Sequence, residues 1–319
     1  MVNINKSSYT KFCPTHLADG LFVPRRDPKK KTDIKKWYDG GEIRFVGFAQ
    51  LGCFDQSILL AVCARTGMEG LLVKGDEKDL KGIKTQLSLP MEKTGALATG
   101  NHTFAKTSVY SILKDVGYEK NDMGKKLYWE VVESLLRLAN VTVYRRKASK
   151  GGSMNLLNFG HDEHGRVAIT LNWRLADAIL GGMQNIQISL TERRQLKTAV
   201  AKILHAWLCG YVRLGKELMN GQGANYDTLC RHVWGENFDF KSRSTQSKQR
   251  KLVKEALEEI GELSGWKVQT YKTKVLVKRS NSLPWTEEEI GTPGEIEDQI
   301  IEDEERLEKE KKDAENEFL

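Results

Sequence analysis

The chain has 319 residues, which is enough for two ordinary domains that each have an apolar core. Its apolar fraction of 39% and its charged fraction of 29% are typical of a soluble globular protein. No run approaches the roughly 20 apolar residues that span a bilayer, and the first residues lack the apolar run of a signal peptide. We therefore expect a cytoplasmic protein that does not act in a membrane.

The net charge of +7 is unevenly distributed along the chain. Residues 281–319 contain fifteen Asp or Glu and four Lys or Arg, a net charge of −11, so residues 1–280 carry +18. A folded body this basic needs a polyanionic partner or must tolerate its own repulsion. Nucleic acid is the first candidate for that partner, and an anionic membrane surface is the second.

Residues 1–40 are polar and basic and are predicted to form a flexible arm. The first domain is predicted over residues 41–181. A strand is predicted at residues 43–48 and a helix at 54–65, and residues 72–104 are predicted to form a loop or short strands. A short helix at 109–116 and a longer helix at 121–140 follow, and then a β-hairpin with strands at 141–146 and 154–159. A strand at 166–171 and a helix at 173–180 complete the domain. A short helix, a turn, a longer helix and a hairpin is the order of a winged helix-turn-helix.

The same order recurs over residues 182–280. After a strand at residues 186–188, Ser189 and Glu192 form a capping-box pattern that predicts one long helix. Two more helices and a hairpin follow a Gly-rich break, at residues 226–234, 244–263, 266–271 and 274–278. The predicted fold class is therefore α+β, with two tandem winged helix-turn-helix domains. The Glu-rich residues 281–319 are predicted to be disordered or a lone charged helix.

The helix at residues 244–263 gives the strongest functional signal. Its apolar positions share one face, its first half is basic and its second half is acidic, which is the reverse of what the helix dipole favours. The alternative interpretation is that this charged face is exposed to solvent and binds no partner. The helix–turn–helix–hairpin context favours entry of the basic half into a major groove, where Lys and Arg meet phosphates or guanine edges. The candidate DNA-binding residues here are Arg243, Ser244, Thr245, Ser247, Lys248, Arg250, Lys251 and Lys254.

The turns of the two predicted hairpins are also basic. They suit contacts with backbone phosphates, as a wing makes beside a recognition helix. The candidates of the second hairpin are Lys272, Lys274 and Lys278, and those of the first domain are Lys125, Lys126, Arg145, Arg146, Lys147 and Lys150. Trp37, in a basic segment, is a further candidate for contact with DNA or a partner.

Several short stretches resemble the RepC replication initiators of IncQ-type broad-host-range plasmids, which are tandem winged-helix proteins. They occur in the same order over roughly residues 17–280, at 17–22, 51–52, 181–189, 208–210, 227–230, 233–234, 244–245, 255–257 and 265–266. The resemblance implies binding to direct repeats (iterons) in double-stranded origin DNA, opening of adjacent AT-rich duplex, and recruitment of a replicative helicase and primase. Whether the chain also forms a homodimer that limits plasmid copy number stays open. The chain departs from this family in two respects. Its predicted recognition helix is less rich in Arg, and it has an acidic tail.

Two alternative functions each fit part of the sequence. A winged-helix transcriptional repressor or autoregulator would act as a dimer on an inverted repeat. A metal-dependent nicking enzyme would use His161 and His164, but Asp162 and Glu163 break the His-hydrophobic-His pair of nickases, and a hairpin turn is the better interpretation. The sequence has no P-loop, no Cys-x-x-Cys pair and an odd number of cysteines. We therefore expect a binding protein without a catalytic site, a metal or a cofactor.

Overall fold

The computed structural model describes residues 8–38, 40–69, 71–73, 102–148, 150–162 and 165–280. Its α-helices are α1 (Cys53–Glu69), α2 (Val109–Val116), α3 (Lys125–Ala139), α4 (Trp173–Leu180), α5 (Leu190–Gln195), α6 (Ala199–Tyr211), α7 (Tyr226–Trp234) and α8 (Arg243–Gly261). Its strands are β1 (Tyr9–Phe12), β2 (Phe22–Val23), β3 (Thr32–Tyr38), β4 (Gly41–Gly47), β5 (Leu51–Gly52), β6 (Leu71–Val73), β7 (His102–Ser108), β8 (Thr142–Lys147), β9 (Lys150–Asn155), β10 (Leu157–His161), β11 (Arg166–Leu171), β12 (Ile186–Ser189), β13 (Ala224–Asn225), β14 (Trp266–Thr270) and β15 (Lys274–Arg279). The chain is a mixture of helices and strands, as predicted, and its division into two winged helix-turn-helix domains stays a prediction.

Helix α1 lies at the centre of the first half of the chain. Its middle, residues 58–64, is entirely apolar and buried, which is the pattern of a helix covered from every direction, and buried polar residues flank this stretch. It packs against β1, α2, α3, α4 and α6. The helix predicted at residues 54–65 is longer in the structure, where it continues past Gly67 to Glu69. A single glycine therefore did not stop a helix that is held by packing on all sides.

Among the described residues, three sheets have three or four strands. The first is antiparallel in the order β3-β4-β8-β9, the second has the order β10-β11-β7-β6, and the third has the order β13-β15-β14. The predicted hairpin of the first domain is therefore part of a larger sheet with the N-terminal strands β3 and β4. Its predicted second strand, at residues 154–159, is divided between β9 and β10.

The N-terminal region is the main correction to the predicted organisation. Residues 8–38 are not a flexible arm, because β1 pairs antiparallel with β12 and Thr10 lies opposite Ile188. Both Thr10 and Phe12 are buried. Alternation of inward and outward side chains is present in β1, but four residues among polar neighbours give too short a signal to predict a strand.

The long helix predicted after Ser189 is two helices. Ser189 caps α5 through the backbone N–H of Glu192, at 3.0 Å, but the helix ends at Leu196, which has an extended ψ of 134°. Thr198 then caps α6 through the N–H of Ala201, at 3.2 Å. The Glu192 carboxylate bonds to His205 instead, so we find only half of the predicted capping box.

Buried polar contacts join α5 to the first half of the chain. Arg193 donates hydrogen bonds to Gln56 Oε1 at 2.9 Å and to Ser57 Oγ at 3.1 Å, both on α1. The apolar core is also continuous across residues 12–277 among the described residues. The domain boundary near residue 181 stays a prediction. None of the helices in the described ranges is long and apolar enough to cross a bilayer.

Candidate nucleic-acid interface

Helices α7 and α8 pack together through one apolar seam. The predicted inner face of α8 is confirmed, since Val253, Ala256, Leu257 and Ile260 are all buried. On α7 the buried residues include Leu229, Cys230 and Val233. A 3-10 turn at Glu236–Phe238 connects the two helices. The seam fixes the rotation of α8 about its axis, and this fixes which residues face outward.

The basic half of α8 is directed into solvent. Ser242 caps the helix through the N–H of Thr245 at 3.3 Å, and the helix begins at Arg243. Lys251 has 80% of its side chain exposed, and its ammonium lies 3.8 Å from the Glu255 carboxylate one turn further along the helix. The candidate residues that are exposed on this half are Arg243, Ser244, Ser247, Lys248, Lys251 and Lys254. We call these six residues the basic face of α8.

Two other candidates on α8 are engaged within the protein. Arg250 forms a two-point ion pair with Asp227 of α7, with N–O distances of 2.5 and 3.1 Å. The Arg250 hydrogen bond also holds the pKa of the Asp227 carboxyl below its usual value. Thr245 Oγ1 lies 3.0 Å from Ser242 Oγ at the helix cap. Both residues thus hold the helix in place, a role that sequence spacing did not reveal.

The hairpin β14–β15 lies beside α8. Tyr226, the first residue of α7, contacts both the hairpin and α8. Its hydroxyl donates a hydrogen bond to the carbonyl of Tyr271 in the hairpin at 3.1 Å. The Lys254 ammonium lies 4.9 Å from the centre of the Tyr226 ring. Lys272 and Lys274 are exposed at the hairpin turn. Lys278 lies 3.5 Å from the Glu217 carboxylate and is paired within the protein.

The first-domain candidates are more dispersed. Lys125 and Lys126 are exposed at the start of α3. Arg146 and Lys147 are exposed on β8, and Lys150 is the first residue of β9. Arg145 lies opposite the buried Ile43, and its Nε atom is buried on the inner side of the sheet. The structure therefore places Arg145 on the other face from its neighbours.

A buried ionic cluster lies behind the interface and was not predicted. His205 Nε2 is 2.7 Å from Glu192 Oε2, and Arg279 of β15 is 3.5 Å from the same oxygen. Burial by itself would lower the pKa of His205, but neighbouring Cys209 and the Glu192 carboxylate raise it to about 9. Glu192, His205 and Cys209 are close enough to hold a metal ion. The Arg279 guanidinium already supplies the positive charge that Glu192 requires, so we assign an ion-pair cluster.

The candidate nicking motif occupies the turn between β10 and β11. Asp162 accepts a 2.6 Å hydrogen bond from Arg166 Nε, and the His161 ring stacks on Phe159 with 6.2 Å between ring centres. His164 and Glu163 lie outside the described residues. The strands β10 and β11 on either side of these residues pair antiparallel, as a hairpin requires. Residues 281–319 also lie outside the described ranges.

Comparison with known proteins identifies one family by sequence. The profile of the family described as Replication protein C (RepC) matches residues 6–280. No protein of curated function matches the chain. Two similar solved structures are both of domains 2 and 3 of RctB. The first is 10% identical with a TM-score of 0.48 and covers 85% of this chain and 99% of that chain. The second is 11% identical with a TM-score of 0.44, and the match covers 81% of this chain and 92% of that chain.

Proposed function

The chain belongs to the Replication protein C (RepC) family, and we propose that it starts plasmid replication by binding directly repeated sites in double-stranded DNA at an origin. The observation that carries this proposal is the basic face of α8, which the apolar seam with α7 directs outward beside the β14–β15 hairpin. This arrangement suits a helix that enters a major groove while a neighbouring hairpin meets the phosphate backbone.

The winged-helix interpretation assigns separate roles to the two elements. In it, Ser244, Ser247, Lys248 and Lys251 meet base edges, where Lys pairs with guanine and Ser bonds to several bases. Lys272 and Lys274 neutralise phosphates, a contact that positions the protein and is independent of sequence. Because α6 precedes α7 and is buried against α8, it supports this unit from behind.

The second part of the proposal concerns the arrangement of sites. Two unequal winged-helix units on one chain would read two adjacent grooves, so that a monomer suffices and the sites repeat in one direction. Footprinting of the full chain on origin DNA is expected to protect one face of an array of direct repeats. Protection of a single inverted repeat by a dimer would instead support a transcriptional repressor or autoregulator, and would reject the initiator.

We also propose that the bound chain helps to open adjacent AT-rich duplex and recruits a replicative helicase and primase. Membership of a replication-protein family supports this step. The test is helicase loading in vitro: the chain bound to its repeats should deliver the host helicase onto origin plasmid. Permanganate reactivity of adjacent thymines should appear on the same template. A footprint without either signal would limit the chain to duplex binding.

The chain is proposed to act by binding, without covalent chemistry of its own. The engagement of Asp162 with Arg166 supports this, since that carboxylate is already paired. Incubation of supercoiled origin plasmid with the chain and Mg²⁺ is expected to leave it supercoiled. Relaxation that depends on Mg²⁺ and is lost in His161→Ala or His164→Ala would show a nicking enzyme instead.

A further inference from the structure

The outer face of the sheet β3-β4-β8-β9 is a second cationic surface, separate from α8. Side chains alternate along its strands: Ile43, Phe45 and Val143 are buried on the inner face. On the outer face, Trp37 is 73% exposed and Tyr144 is 36% exposed. The residues that share this face or adjoin its end are Asp33, Lys35 and Trp37 of β3, Glu42, Arg44 and Val46 of β4, Phe48, and Tyr144 and Arg146 of β8.

Exposed apolar side chains are concentrated on this face. Val46 and Phe48 are 40% and 54% exposed, and with Trp37 and Tyr144 they make up four of the twelve large apolar residues that are exposed among those described. The strand register puts Lys35, Arg44 and Tyr144 in one cross-strand row. Trp37 lies one row away and two strands from Tyr144. Standard strand spacings then separate the two aromatic residues by about 12 Å.

The face is bounded by positive charge at both ends. Lys29, Lys30 and Lys31 are exposed just before β3, and Arg146 and Lys147 are exposed at the far end of β8. With Lys35 and Arg44, these make seven cations against three carboxylates, those of Asp27, Asp33 and Glu42. Asp33 is paired with Arg44 through N–O distances of 2.6 and 2.7 Å. The surface therefore has a clear excess of positive charge.

We propose that this sheet face binds single-stranded DNA. Aromatic rings that stack on bases, combined with cations that follow the backbone, are what a single strand requires. A duplex cannot use the aromatic residues in this way, because its base faces are covered by their neighbours. A second copy of the chain is a poor occupant, because two such faces would bring like charges together. The site goes beyond duplex reading by α8, and neither activity requires the other.

The experiment measures the affinity of the full chain for a labelled oligo(dT) of about 16 nucleotides, a length within the usual range for one binding domain. The same preparations are tested on duplexes that the chain has selected from a random pool. The variants are Trp37→Ala, Tyr144→Ala and Trp37→Phe, with Trp129→Ala as the matched control. Trp129 is also exposed, at 49%, but lies on α3.

Trp37→Ala and Tyr144→Ala are each expected to weaken oligo(dT) binding about tenfold, in line with the loss of one stacked base. Trp37→Phe should keep most of the affinity because it keeps a ring. Trp129→Ala should match the wild-type chain, and every variant should bind the selected duplexes normally. If no duplex is selected, the proposed function fails, while the oligo(dT) result still decides this inference.

Three results would overturn the inference. One is a wild-type chain that does not bind oligo(dT) in 50 mM salt, and another is equal affinity in Trp37→Ala, Tyr144→Ala and the wild type. The third is an equal loss in Trp129→Ala. Sedimentation velocity tests whether a second copy of the chain occupies this face instead. Loss of self-association in Trp37→Ala with unchanged oligo(dT) binding would assign the face to a second copy.

Discussion

Gly20 and Gly235 meet so closely that a Cβ atom on Gly20 would lie 2.6 Å from the Cα atom of Gly235. Gly235 ends α7 and starts the turn into α8. The backbone N–H of Gly20 also donates a hydrogen bond to the carbonyl of His232 at 2.8 Å. The Asp19 carboxylate accepts a hydrogen bond from His232 Nδ1 at 3.0 Å. The N-terminal segment is therefore a structural support of the helix pair that carries the basic face of α8.

This contact predicts a large cost for Gly20→Ala. Gly20 has a φ of +70°, which costs an alanine about 1 kcal/mol, and the clash with Gly235 adds to it. We expect the free energy of unfolding to fall by about 3 kcal/mol or more, measured by urea denaturation. Gly181→Ala is the matched control, because Gly181 has a φ of +81° but no atom near its Cβ position. Equal losses in both variants would contradict the role of the close contact.

The His205–Glu192 pair predicts a loss of stability at alkaline pH. The pKa of His205 is about 9 in the folded chain, above its usual value of 6.5, because the Glu192 carboxylate and Cys209 outweigh the effect of burial. The folded state therefore holds a proton that the unfolded state releases above pH 6.5. The stabilisation is complete below pH 6.5 and declines as the pH rises through 9, by about 2–3 kcal/mol.

Urea denaturation at several pH values between 6 and 9 measures this decline. His205→Gln is the control variant, since it removes the titrating ring and should flatten the dependence over that range. Stability that rises with pH in the wild type, or an equal decline in both proteins, would contradict a charged His205 in the folded chain.

Asp227→Asn is expected to strengthen binding to duplexes of any sequence. Asp227 holds Arg250 in a two-point ion pair, and its removal leaves the guanidinium without its carboxylate partner on a helix that is proposed to face DNA. One additional cation should make the slope of log affinity against log salt steeper by at most about one. The measurement is a salt titration with a random-sequence duplex. An unchanged slope and affinity would place Arg250 away from the DNA.

Lys274→Ala tests the proposed phosphate contact of the β14–β15 hairpin by removing a cation. Lys274 is exposed at the start of β15, beside the hairpin turn. Loss of one phosphate contact should weaken binding to all duplexes alike and reduce the salt slope by about one. Lys278→Ala is a useful comparison, because Lys278 is already paired with Glu217 and should have a smaller effect. A change in sequence preference in Lys274→Ala would contradict a purely backbone role.

Local patterns predicted the helix pair and the hairpin well. The end of α2 at Gly117, the span of α7 and the inner face of α8 all follow from apolar spacing and glycine positions within a few residues. Pairings between distant residues were missed. β1 pairs with a strand 177 residues further along the chain, and Glu192 bonds to His205 instead of closing its own cap. Such partners depend on tertiary packing, which no local spacing encodes.

The same distinction applies to the interface. The spacing of Ser244, Ser247, Lys248 and Lys251 predicted their exposure, because it depends only on the opposite apolar face. The engagement of Arg250 with Asp227 and the inward position of Arg145 depend on neighbouring elements. Charge alone therefore selected a helix whose basic face is exposed, but it included residues that are engaged within the protein.

Selection of duplexes from a random pool, by the wild-type chain and by Lys248→Ala, tests the central claim most directly. If the basic face of α8 reads base edges, the wild type should select one defined site. Lys248→Ala should then lose preference at one position of that site, with a cost of about 1–3 kcal/mol for the preferred base. Identical selected sites and affinities for the two proteins would contradict sequence reading by this face of α8.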